Sequence, residues 1–119
     1  MSLEKKNFGA WGEDVAVAYL ERNGYRILSR NYRVGHKELD VVATRDDLTI
    51  FVEVKTRQEI LDGVITGILK REQSRNLRFA ISGYAYQFRI DLEKTRLDLI
   101  VIDFKLSKKT AKISHYYGV

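Results

Sequence analysis

Two hydrophobic periods alternate along this chain. From Asn7 to Asn23, Ala16, Val17 and Leu20 gather with Gly9 around the azimuth of Glu13 at the roughly 3.6-residue period of a helix, and Asn23-Gly24 supplies its stop. Tyr25–Val34, bounded by Gly24 and Gly35, reads as a strand, and Lys37–Arg57 as two alternating strands around a polar turn at Asp46-Asp47. Gln58–Gly67 has no clean period and predicts a loop or a short helical approach. Helical spacing returns over Ile68–Gln87, where Leu77, Ala80, Ile81, Tyr84 and Phe88 share one face and Gly83 interrupts the pattern. Arg96–Lys105 is almost continuously apolar, as an inner strand reached by a crossover should be, and Ala111–Tyr117 predicts an edge strand after a lysine-rich turn. The expected fold is α/β, a mixed central sheet in the order α-β-β-β-α-β-β with the helices packed on it.

The hairpin carries acids where ordinary strands do not. Strict alternation puts Glu38, Asp40 and Val42 on one face and Leu39, Val41 and Ala43 on the other, and sets Phe51, Glu53, Lys55 and Arg57 against Ile50, Val52 and Val54. A symmetric turn pairs Asp40 with Glu53 and Glu38 with Lys55. Two carboxylates facing each other across a ladder repel, so the pair calls for a cation, either Lys55 or a divalent metal. Glu13 has two readings: an acid near a helix start that favours the dipole, or a third carboxylate reaching the strands, with Gly9 and Gly12 permitting close backbone approach. Arg71, Arg75 and Arg78 form a stripe on the second helix that is either a solvated face or a phosphate-binding one, with Lys70 near the helix start. His36, beside Gly35, reads as solvent-facing, and His115, Tyr116 and Tyr117 either pack or stack on a base, packing being the favoured reading.

Composition narrows the chemistry. At 119 residues the chain fits one domain, spanning 1–119, with no repeat or linker. Cysteine is absent, so a metal site would rest on carboxylates and at most two histidines, which favours a hard ion such as Mg²⁺ or Mn²⁺. No hydrophobic signal region or membrane span is visible, so a cytoplasmic protein without a membrane partner is expected. Twenty-one Lys and Arg against sixteen Asp and Glu give a charge of +5, which suits a polyanion without requiring one.

Asp40 followed by Glu53-Val54-Lys55 resembles the motif of the PD-(D/E)xK nuclease superfamily. Gly9, Gly12-Glu13, Ala16, Leu20, Gly24-Tyr25, Ile27-Leu28, Asn31, Arg33, Glu38-Leu39-Asp40 and Phe51–Arg57, with Lys70 and Arg96-Leu97-Asp98 more loosely, resemble the bacterial UPF0102, or YraN-like, family. The chain departs from that family at Lys37, where a glycine is usual. The resemblance implies a restriction-endonuclease-like core related to archaeal Holliday junction resolvases. It also implies nucleic-acid binding, DNA foremost, possible phosphodiester cleavage, a site at Glu13, Asp40, Glu53 and Lys55, and by analogy a homodimer.

On that basis the expected activity is metal-dependent endonucleolytic cleavage of DNA, branched or junction DNA included. Asp40 and Glu53 would bind Mg²⁺ or Mn²⁺ with the Val54 carbonyl, Glu13 would hold a metal-bound water, and Glu38 would stand behind the ligands. Lys55 would orient or deprotonate the attacking water, or stabilise the phosphorane; the residues leave this open. Arg57, Lys70, Arg71, Arg75 and Arg78 would hold phosphates. The alternatives are a non-catalytic nucleic-acid-binding module that retains the fold, and an interaction domain in which Glu38–Lys55 and Asp40–Arg57 are plain surface ion pairs.

Overall fold

In the computed structural model, which describes residues 5–58, 71–105 and 107–119, the first helix, α1 (Lys5–Arg22), is closed by Gly24 at φ 86°. The Tyr25 N–H returns to the Leu20 carbonyl at 3.0 Å and the Gly24 N–H to Glu21 at 3.1 Å, so the last carbonyls are capped and the chain turns into β1 (Arg26–Val34). β2 (Lys37–Arg45) and β3 (Leu48–Gln58) complete an antiparallel meander. Helix α2 (Arg71–Phe88) and a single 3₁₀ turn (Leu92–Lys94) lead to β4 (Thr95–Lys105), which pairs parallel with β3, and β5 (Thr110–Tyr116) closes the sheet at its edge.

The five strands lie in the order β1-β2-β3-β4-β5, the mixed sheet and the α-β-β-β-α-β-β order that the hydrophobic periods predict, and one compatible with a restriction-endonuclease-like core. Each helix covers one face. Leu77, Ala80, Ile81 and Tyr84 of α2 pack on Val42, Phe51, Leu99 and Val101, while Ala16 and Leu20 of α1 pack on Val41, Ile50, Val52, Ile100 and Ile102. Burial on both faces is why β4 reads as a continuous apolar run. Gly83 does not interrupt α2: a Cβ there would lie 2.6 Å from Val34 Cγ1, so the glycine lets the helix settle on β1. Most of the predicted loop Gln58–Gly67, and the predicted helix start at Ile68–Lys70, lie outside the described residues. Among the described residues no helix is long and apolar enough to cross a membrane.

Candidate functional site

The β2–β3 register runs from Arg45 opposite Leu48 to Val41 opposite Val52, as a symmetric turn requires. At Asp40 the geometry changes. Leu39 belongs to the α2 core whereas Val41, two residues on, belongs to the α1 core, so the strict alternation expected from sequence fails here and the pleat slips at Asp40. On β1 the pairs Arg30 with Val41 and Tyr32 with Leu39 keep one register across Asn31, which sits at φ 51° between the residues paired with Asp40's neighbours, while the register of that strand shifts between Ile27 and Ser29. Asp40 then does in side chain what a ladder does in backbone: its Oδ2 accepts the Val54 N–H at 2.9 Å.

This junction opens a pocket of about 520 Å³ lined by Phe8, Gly9 and Glu13 of α1, by Asp40, and by Glu53-Val54-Lys55-Thr56 of β3. Glu53 and Lys55 neighbour Leu99 and Val101 across the β3–β4 pairing, Thr56 lies against α1 at Gly12, and Asp40 stands between the two sets. A Cβ at Gly12 would overlap the Thr56 side chain, so this glycine allows the close approach; Gly9, by contrast, has nothing within 4 Å of its missing Cβ and needs no such allowance.

Negative charge accumulates in the pocket. Burial, then the Asp40 charge, raises Glu53 from the ordinary 4.5 to about 7, although Lys55 Nζ lies 3.3 Å from its Oε1. Burial also raises Asp40, despite the Val54 N–H and a hydrogen bond shared with Glu53. Glu13 is raised as well, by burial and by Asp40, against a hydrogen bond with Asn31. Three carboxyls on three elements thus compete for one small space, and the Lys55 ammonium offsets only part of their charge.

The remaining predicted residues are distributed less evenly. Glu38 is exposed and adds to the negative field on Asp40 and Glu13, and Lys55 pairs with Glu53 instead of with Glu38. Arg57 lies 3.1 Å from Asp103 Oδ1 and 3.2 Å from Oδ2, a forked pair between parallel-register partners, in place of an Asp40–Arg57 pair. Arg78 is exposed on α2, Arg71 and Arg75 lie in its first turns, and Lys70 falls outside the described residues. Among the described residues no group of three or more His, Asp or Glu is gathered in a metal-holding arrangement. A two-carboxylate set is nevertheless what Mg²⁺ uses when it retains most of its waters, and Asp40 with Glu53 offers that set, in hard oxygen donors with excess charge to neutralise.

Sequence reasoning passed over a second polar cluster. Asp98, fully buried on β4, accepts both Arg96 Nε and Arg96 Nη2 at 2.8 Å, His115 Nε2 at 2.8 Å and the Gly118 N–H at 3.0 Å. His115 Nδ1 meets the Tyr19 hydroxyl at 2.9 Å. The available signal was an aspartate inside an apolar run, two residues after an arginine. His115 is a packing residue, as expected, though a polar one.

Comparison with known proteins places the chain. The model of the uncharacterised protein family UPF0102 matches residues 12–102. A UPF0102 protein of Syntrophotalea carbinolica is 36% identical over 118 residues, covering 99% of this chain and 94% of its own. One of Alkaliphilus oremlandii is 37% identical over 110 residues, covering 92% and 94%, and one of Bacteroides fragilis is 40% identical over 99 residues, covering 83% and 81%. Among solved structures, a FdxN element excision controlling factor protein from Anabaena variabilis covers 91% of this chain and 98% of its own at 14% identity and a TM-score of 0.41, too low a likeness to bear on function. From the breadth of the family match and the identity of these relatives, the chain belongs to the UPF0102 family.

Proposed function

We propose that this protein is a divalent-metal-dependent endonuclease that hydrolyses phosphodiester bonds in DNA, branched DNA included. One observation carries the reading: at the point where the β2–β3 ladder gives way, Asp40 is fixed by the Val54 N–H beside a Glu53 carboxyl raised to about 7, with Lys55 at the same opening. Such a site holds more negative charge than its fold neutralises, which is the condition a cation relieves. Mg²⁺ or Mn²⁺ held by Asp40, Glu53 and the Val54 carbonyl would supply charge neutralisation at the scissile phosphate.

The chain's own groups do the rest. The Val54 N–H holds the Asp40 carboxylate in place, so no ordering is needed when substrate arrives. Lys55, about one third exposed, keeps its ammonium at the pocket mouth, where it orients the attacking water or offsets charge on the phosphorane. Glu13, raised by burial and Asp40, can carry a proton at its carboxyl on the α1 wall.

The test is cleavage of linear and four-way-branched DNA by purified protein in Mg²⁺ or Mn²⁺. Asp40→Asn, Glu53→Gln and Lys55→Ala should each abolish cleavage while circular dichroism and melting stay those of a folded chain. Cleavage that survives these changes would refute the site.

A further inference from the structure

The outer side of α2 carries a feature that the pocket at Asp40 does not use. Phe79 is 71% exposed and Tyr86 89% exposed. Seven residues apart, they stand on one azimuth of the helix, roughly 10 Å from each other. Single exposed apolar residues need no explanation, but these differ from their neighbours. Phe88, also part-exposed, packs its ring on Tyr84 and Tyr32 at 4.5 and 5.7 Å. Among the described residues Phe79 and Tyr86 make no ring contact, and Tyr86 makes no hydrogen bond.

Their charge surroundings point to the occupant. From Gln73 to Ile90 the sequence has no Asp or Glu and three arginines, Arg75, Arg78 and Arg89, of which Arg78 is exposed on the helix and Arg89 is exposed just past its end. A second copy of the chain docked through this face would bring arginines against arginines, because a two-fold interface repeats the same patch on both sides. A polyanion with free π-faces suits cations interleaved with aromatics, and the spacing of Phe79 and Tyr86 equals about three base steps of a stacked strand.

We infer that the outer face of α2 is a binding platform for an unpaired nucleic-acid strand, with Phe79 and Tyr86 stacking on bases and Arg78 and Arg89 holding the flanking phosphates. This rests on the nuclease reading above and adds to it: the preferred substrate carries a single-stranded segment in addition to the bond that is cut. Duplex DNA offers its bases to such a platform only at an end or a branch.

The experiment is fluorescence anisotropy in EDTA, where cleavage is silent, comparing a labelled oligothymidylate and a gapped duplex with a blunt duplex of equal length. Wild type should prefer the first two. Phe79→Ala with Tyr86→Ala should weaken binding to them by about tenfold or more while leaving blunt-duplex binding unchanged, and Phe79→Trp with Tyr86→Trp should restore it. Arg78→Ala should weaken binding to all three and flatten the salt dependence. Both aromatics lie outside the core, so circular dichroism should not change. Wild-type preference that survives the alanine pair overturns this inference alone. Wild type that binds no nucleic acid overturns it together with the nuclease reading. Self-association in the ultracentrifuge that the alanine pair abolishes assigns the face to a second copy instead.

Discussion

Two carboxylate clusters, one buried and one half-buried, share one sheet and are solved in opposite ways. Around Asp98 every lone pair has a donor. Burial raises its pKa, but hydrogen bonds from His115, Arg96 and the Gly118 N–H more than reverse that and hold it at about 2. Around Asp40 the donors do not suffice: the Val54 N–H, Lys55 and an Asn31 hydrogen bond to Glu13 leave Asp40, Glu53 and Glu13 all raised. The first cluster is saturated and ties β4 to β5 and to the segment after it. The second is left in deficit, the condition that the proposed metal would relieve.

Removing the central acid of each cluster should separate them most widely. Asp98→Ala leaves Arg96, His115 Nε2 and the Gly118 N–H facing a void and should cost about 3–5 kcal/mol, read as a large fall in the urea midpoint. Asp40→Asn keeps an acceptor for Val54 N–H and removes a charge from a crowded pocket, so its stability should stay within about 1 kcal/mol of wild type or rise. Equal losses for the two variants would end the distinction.

Acidity should divide the clusters next. Glu53 has its folded value, about 7, above the ordinary 4.5, so the unfolded chain loses this proton first. Below pH 4.5 the group is neutral to stability. Between 4.5 and 7 the contribution of this group falls as pH rises, by on the order of 3 kcal/mol in total, and Glu53→Gln should remove most of the slope, leaving the part that the raised Asp40 and Glu13 carry. Asp98 runs the other way: its folded value lies below the ordinary 3.8, so its contribution is present above 3.8 and is lost as pH falls toward 2. Thermal melts of wild type and Glu53→Gln from pH 4 to 8 test the first slope. Millimolar Mg²⁺ should flatten the wild-type curve and leave that of the variant unchanged.

How far such a contrast is visible in sequence depends on whether its cause is local. Helix periods, the glycine stop at Gly24 and the crossover into an apolar β4 are local or compositional, and the hairpin register follows from its turn. The slip at Asp40 does not, because Leu39-Asp40-Val41 alternates identically whether or not the pleat is regular, and on the neighbouring strand Asn31 stands at φ 51°. Gly9 and Gly12 look equivalent until Thr56 is brought against one of them. Arg57 is claimed by Asp103 only once β3 and β4 are set parallel, and Asp98 is saturated only when β5 delivers His115 and the chain beyond it. Long-range pairing therefore decides which charges are spoken for.

The smallest expected effect lies at the rim of the saturated cluster. His115 Nε2 must donate to the Asp98 carboxylate, so in the neutral ring Nδ1 is an acceptor and takes the Tyr19 O–H at 2.9 Å. Burial, with Tyr117, Tyr25 and Asp98 nearby, pushes the Tyr19 phenol up to about 12, so it remains a donor throughout the stable range. Tyr19→Phe removes that donor and leaves the ring packing of Tyr19 on His115, an edge contact at 5.5 Å, in place. Tyr19 is only part-buried and one neutral hydrogen bond is lost, so the loss should be about 1 kcal/mol at pH 7. A much larger loss in urea denaturation would show that the saturation of Asp98 depends on its outermost hydrogen bond, and that the two clusters differ less in kind than in degree.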